Sequence, residues 1–417
     1  MKTVFLLSLL CVSHSNALRL GVDNCSEQIL QKIINSKGKP CVWGLVTNQT
    51  GFDSHGVRTV KVLQDRGATI RAIFAPEHGY HGKVVAGVHV ADTIDEQTNI
   101  PILSLYKKNI SSTLNSTTNS LVDPKVLDEI DGFMIDLQDC GMRHYTYISA
   151  LYQIMNQAQV SKKKVLVLDR PNPLGVYAEG PLVDDALRSY VSIAPVALRH
   201  GLTIGEFARY CNKYFFNDAV DLQVIPITGY QPTDGLKKLA AALSPNIASL
   251  DSCKGYSFLG LLGEVDPIDV GVKTPKAFCC IALPKTIDFA DHQWESLQQL
   301  LQNFGVVSTR YEYMSGTKNQ PCVGLHIVIN DINKLKAFTL FLAILEFFKK
   351  AGVNLTFSAL FDKAIGTSAV QSWHKGKLSR KELDQRIENE LQSFLEKRKK
   401  ILIYPSIRIA NPAVAHK

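Results

Sequence analysis

The chain has 417 residues, 46% hydrophobic and 20% charged, a globular composition that excludes disorder over most of its length. Such a length exceeds what one hydrophobic core usually serves, so two domains are expected. The formal charge of +8 is modest, and the lysines gather in runs such as SKKK (161–164) and EKRKK (396–400), which read as solvated helix ends rather than a nucleic-acid stripe.

The first element, MKTVFLLSLLCVSHSNA (1–17), has one lysine, an apolar run and small polar residues ending at Ala17. This is the pattern of a secretory signal, and it predicts a secreted or periplasmic protein. No membrane span is expected: the apolar stretch 336–352 is too short and is flanked by lysines. Of the eight cysteines after the signal, Cys25 and Cys41 form a conceivable disulfide pair, and no spacing resembles a metal knuckle.

Next come a strand candidate at 41–48, a helix at 55–67 and a second strand at 68–75. A Ser/Thr/Asn-rich stretch at 111–120 reads as a surface loop. Strands at 130–139 and 163–172 flank a helix at 145–159, and another strand candidate follows at 221–230. This punctuation is that of an α/β fold with a mainly parallel sheet covered by helices. Beyond a boundary between about 231 and 255 the pattern loosens into a smaller α+β unit, with a strand at 321–331 and helices at 333–351 and 378–398.

In parallel sheets, ligands bind beyond the carboxyl ends of the strands. There the first strand delivers Asn48; the second, Glu77 and His78 in FAPEHGYHG; the third, Asp136, Gln138 and Asp139; the fourth, Asp169, Arg170 and Asn172. Glu77, Asp139, Asp169 and Glu179 are carboxylates that could serve as the acid and base of glycoside hydrolysis. Arg143 suits a bidentate grip on a substrate carboxylate, and Tyr145 offers a stacking face with a polar rim. Competing structural roles exist for several of these. Asp136 fits a buried backbone contact, Asp169 with Arg170 an internal ion pair, His144 a helix cap, and Tyr147 the core. Nucleophilic serine chemistry and a metal centre find no motif in the sequence.

The blocks FAPEHGYHG, DLQDCGMRHYTYI, LDRPNPLG, EGP and RHGLTIGEFA, in this order and spacing, resemble the signature blocks of the bacterial exo-β-N-acetylmuramidases of the NamZ type, long a domain of unknown function. The resemblance is dense from about 40 to 230 and extends more thinly through the rest. It implies a Rossmann-like catalytic domain (18–240), an auxiliary domain (241–417) and a cleft between them. It also implies an activity without a cofactor, removal of N-acetylmuramic acid from the non-reducing end of peptide-free peptidoglycan fragments, which makes saccharides the expected partners. The favoured catalytic glutamate falls on Glu77, with Asp139 as first choice for its partner and Glu179 and Asp169 behind it. His200, in the last block, joins the expected substrate-binding residues, and Arg143 would meet the lactyl carboxylate of muramic acid. One block departs from the family: GEVDPIDVGVKTPKAF (263–278) keeps Glu264, Gly271, Thr274 and Pro275 but lacks the arginine and most of the polar groups usual there. A non-catalytic amino-sugar binder, or a hydrolase of another amino-sugar glycan, is the alternative.

Overall fold

The computed structural model describes residues 17–106, 121–233, 236 and 239–404. Most of the signal-like segment and the Ser/Thr/Asn-rich stretch lie outside the described residues. The first half carries strands β1 (Val42–Thr47), β2 (Thr69–Ala75), β3 (Thr93–Ile94), β4 (Pro101–Ser104), β5 (Gly132–Asp136), β6 (Lys164–Leu168) and β7 (Asp221–Ile225). They form one sheet in the order β3-β4-β2-β1-β5-β6-β7, parallel except at the β3 edge. Counting only the parallel strands, the order is 3-2-1-4-5-6, the Rossmann arrangement, and the strand order switches direction between the parallel neighbours β1 and β5.

Alternation along these strands builds two cores. Trp43, Leu45, Met134, Leu166 and Leu168 face one side, against Val60 and Leu63 of the helix Thr59–Asp65. Phe74, Phe133, Ile135, Val165 and Val167 face the other, against the helix Tyr147–Ser161. This second core continues into the other half of the chain. It takes in Phe258 and Leu261 of the helix Leu250–Leu262, Leu325 and Ile327, and Phe341 and Phe348.

The second half holds a short ladder of β8 (Val265–Asp266) with β12 (Thr356–Phe357), and an antiparallel sheet of β9 (Cys280–Pro284), β10 (Val306–Met314) and β11 (Pro321–Ile329) in the order β10-β11-β9. The apolar stretch near 340 is the buried helix Ala337–Lys350. Among the described residues no helix is long and apolar enough to cross a membrane. The conceivable Cys25–Cys41 disulfide is absent: both are buried free thiols, each pushed up to about 11 chiefly by desolvation.

Glu179 corrects an expectation, because it joins the two halves instead of facing a ligand. Its Oε1 accepts from Arg199 Nη1 at 3.0 Å and from the Ala337 amide at 3.2 Å, while Oε2 accepts from the Phe338 amide at 3.0 Å. The carboxylate therefore sits on the positive end of the helix Ala337–Lys350 and neutralises a buried guanidinium. Removing one partner of such a pair leaves an uncompensated charge. Glu179→Ala is expected to lower unfolding stability by about 3 kcal/mol, read as a fall in the denaturant midpoint; an unchanged midpoint would contradict the clamp.

Candidate active site

The turn after β2 carries Glu77 and His78 into a cleft of about 650 Å³ between the halves. The backbone reverses through three successive demands on φ: His78 at +71°, Gly79 at +76° and, after Tyr80 and His81, Gly82 at +68°. His78 is the unusual one, since left-handed backbone is costly for a side chain that is not glycine. Its Nδ1 lies 2.7 Å from the Val84 carbonyl, which holds the loop closed.

Glu77 is nearly buried, and both of its oxygens are held. The Gly87 amide donates to Oε1 at 2.9 Å and the Thr146 hydroxyl to Oε2 at 2.7 Å. The amide can only donate, so Oε1 is a fixed acceptor. A hydroxyl can donate or accept, so Oε2 is the oxygen able to carry a proton without stranding its neighbour. Tyr106 lies against the same carboxylate; burial and Glu77 push its phenol up to about 12, so it stays a donor.

The opposite wall comes from the second half: Tyr256 and Gly260 of the helix Leu250–Leu262, then Glu264 and Asp269, and Lys318 from the turn between β10 and β11. Asp269 is saturated by the Tyr313 hydroxyl at 2.5 Å, the Ser315 hydroxyl at 2.5 Å and the Gly271 amide at 2.8 Å. Glu264 accepts from the Ser358 hydroxyl through Oε2. Val270 and Val272 from the divergent block also line this wall.

Of the residues expected from sequence, Glu77, His78 and Tyr145 line the cleft. The Tyr145 hydroxyl is spent on the Leu243 carbonyl at 2.7 Å, so only its ring is on offer. Asp139 sits off the cleft wall. Its Oδ2 accepts from the Gly141 amide at 2.7 Å and meets His200 Nε2 at 3.2 Å, while Oδ1 is buried without a partner. His200 Nδ1 accepts from the Leu202 amide at 3.1 Å, so the proton of the neutral ring is on Nε2, facing Asp139.

The others are committed elsewhere. Asn48 Oδ1 accepts from the Thr50 amide at 2.9 Å and hydroxyl at 2.6 Å. Gln138 donates to the Asp139 and Pro171 carbonyls, both at 2.8 Å. Arg170 grips Asp136 with two bonds of 2.6 and 2.9 Å. Asp169 accepts from the Arg170 and Gly205 amides and from the Thr203 and Tyr404 hydroxyls. Asn172 donates to the Leu202 carbonyl at 2.9 Å.

Arg143 contradicts the expected lactyl contact. It is fully buried and donates to the carbonyls of Pro181 (2.6 Å), Val196 (2.8 Å) and Ile365 (2.5 Å) and to the Ser192 hydroxyl at 3.2 Å. It staples segments of both halves, and its complete burial keeps it from a substrate carboxylate.

His144 corrects the cap reading, since neither ring nitrogen has a hydrogen-bond partner. The ring lines the cleft, 4.6 Å from Tyr256. Burial, reinforced by Arg143, pulls it from 6.5 down to about 3. The unfolded chain therefore binds a proton that the folded chain excludes. The stability this neutral ring contributes is complete above pH 6.5 and falls as pH drops toward 3. His144→Leu is expected to flatten the fall in Tm between about pH 6.5 and 4; an unchanged slope in a thermal-melt series would refute the assignment.

The family models of the exo-beta-N-acetylmuramidase NamZ match its N-terminal part at residues 43–251 and its C-terminal part at residues 255–404. The chain is 31% identical over 375 residues to the peptidoglycan beta-N-acetylmuramidase NamZ of Bacillus subtilis (strain 168), covering 87% of this chain and 86% of that one. Crystal structures of two DUF1343 family proteins from Bacteroides fragilis superpose with TM-scores of 0.78 and 0.71, at 25% and 22% identity, over 93% and 94% of this chain and 99% of each of theirs. With both family regions matched in order across the cleft that carries Glu77, the chain belongs to the NamZ exo-β-N-acetylmuramidase family.

Proposed function

We propose that this chain is an exo-acting glycosidase that releases N-acetylmuramic acid from the non-reducing end of peptide-free peptidoglycan fragments. The observation that carries this reading is Glu77, a carboxyl held by one fixed amide donor and by the hydroxyls of Thr146 and Tyr106 in a cleft between the two halves. Glycoside cleavage needs a carboxyl that gives a proton to the departing oxygen and a second that activates water or attacks the anomeric carbon. Oε2 of Glu77 suits the first task. For the second we favour Glu264 over Asp139, since Glu264 lines the cleft with one oxygen engaged, whereas Asp139 lies behind the wall on Gly141 and His200. The reaction then needs only side chains and water.

A secreted or periplasmic location is part of the proposal. It is supported by the lysine, apolar run and small residues of 1–17 and by the nature of the substrate. A second reading, saccharide binding without turnover, draws on the divergent block, which lines the cleft with the apolar Val270 and Val272.

Hydrolysis of an aryl β-N-acetylmuraminide separates these. Wild type is expected to release the aryl group, Glu77→Gln and Glu264→Gln to lower kcat by about 10²–10⁴-fold, and Asp139→Asn to cost much less. Saturable binding by folded wild type with no release would favour the binder, and a larger loss in Asp139→Asn than in Glu264→Gln would restore Asp139 as partner.

A further inference from the structure

The proposed substrate carries a lactyl carboxylate, and the cleft that would receive it is lined by three acids, Glu77, Glu264 and Asp269. An anion enters such a site only if a cation compensates it. Arg143 is excluded by its burial and its four protein acceptors. Among the described residues that line the cleft, Lys318 is the one lysine or arginine.

Its setting is built. The Lys318 amide donates to Ser315 Oγ at 3.1 Å, and that hydroxyl donates to Asp269 Oδ2 at 2.5 Å, so the turn between β10 and β11 is fastened to the cleft wall. The ammonium itself pairs with Asp266. That pair is open to water, with the two side chains 34% and 66% exposed, so its charge is weakly held and available for exchange. Asp269, to which the turn is fastened, does not compete, because its oxygens are taken by Tyr313, Ser315 and Gly271.

We infer that Lys318 is the residue that recognises the substrate's lactyl carboxylate, and so selects muramic acid over glucosamine. Carboxylate for carboxylate, the substrate replaces Asp266 on the ammonium, and the turn sets where the lactyl arm lies relative to Glu77. This inference rests on the substrate class proposed above.

Its test is calorimetric titration of the full chain with N-acetylmuramic acid and with its methyl ester, beside turnover of the aryl muraminide. Wild type is expected to bind the acid more tightly than the ester. Lys318→Met should weaken acid binding by about ten- to hundredfold and abolish the difference between acid and ester, whereas Lys318→Arg should keep it. An unaltered acid-over-ester preference in Lys318→Met, or no preference in wild type, would overturn the inference. Binding that discriminates the acid without turnover would count against the hydrolase reading and leave the role of Lys318 standing.

Discussion

The buried ion pair between Asp136 and Arg170 is the constraint on which the rest of the site hangs. Asp136 ends β5 and Arg170 follows β6, at the carboxyl edge beside the point where the strand order switches. The Arg170 guanidinium also donates to the Phe52 carbonyl at 2.6 Å, and Asp136 accepts from the Thr59 hydroxyl. The loop after β1 and the first turn of its helix are thereby tied to β5 and β6. Loss of either charge would leave the other unpaired in a dry interior at a cost of about 3–5 kcal/mol, so this edge is rigid before any ligand arrives.

That rigidity explains a division of labour among the polar residues. Asp169 takes four donors, Arg143 four acceptors and Glu179 three donors, each joining segments distant in sequence. Burial pushes the Asp169 carboxyl up to about 7, against the pull of donors such as Tyr404, Gly205 and Thr203 that favour its ionised form. Groups satisfied in this way hold the cleft's shape. The cleft also holds groups with an exchangeable partner or none: Glu77 with its hydroxyl neighbour, Glu264, Lys318 and the unpaired ring of His144.

The first half of the chain was largely legible. Strands β1, β2, β5, β6 and β7 fall within the expected stretches, because each is a short apolar run bounded by turn residues, and buried parallel strands read that way. β4, four residues long, has too little pattern to stand out. β10 was missed because it is half exposed and its residues, VVSTRYEYM, mix polar and aromatic groups without clean alternation. Glu77 was legible since a glutamate in a glycine-flanked turn has little packing to do. Glu264 was visible only as the retained acid of a block that had otherwise diverged, and Lys318 had no signal, being one more lysine in a polar turn.

Readable from the residues alone were the α/β class, the order of the blocks, the family they resemble and the place of Glu77 at the end of the second strand. These depend on local periodicity and on residues close together along the chain. Only the tertiary structure decided which polar side chains face the cleft. Arg143 and Glu179 look like ligand groups when read in one dimension, but their partners, Ile365, Ala337 and Phe338, come from more than 150 residues away. A side chain's role depends on whether its hydrogen-bonding capacity is already met, and that is settled by long-range packing.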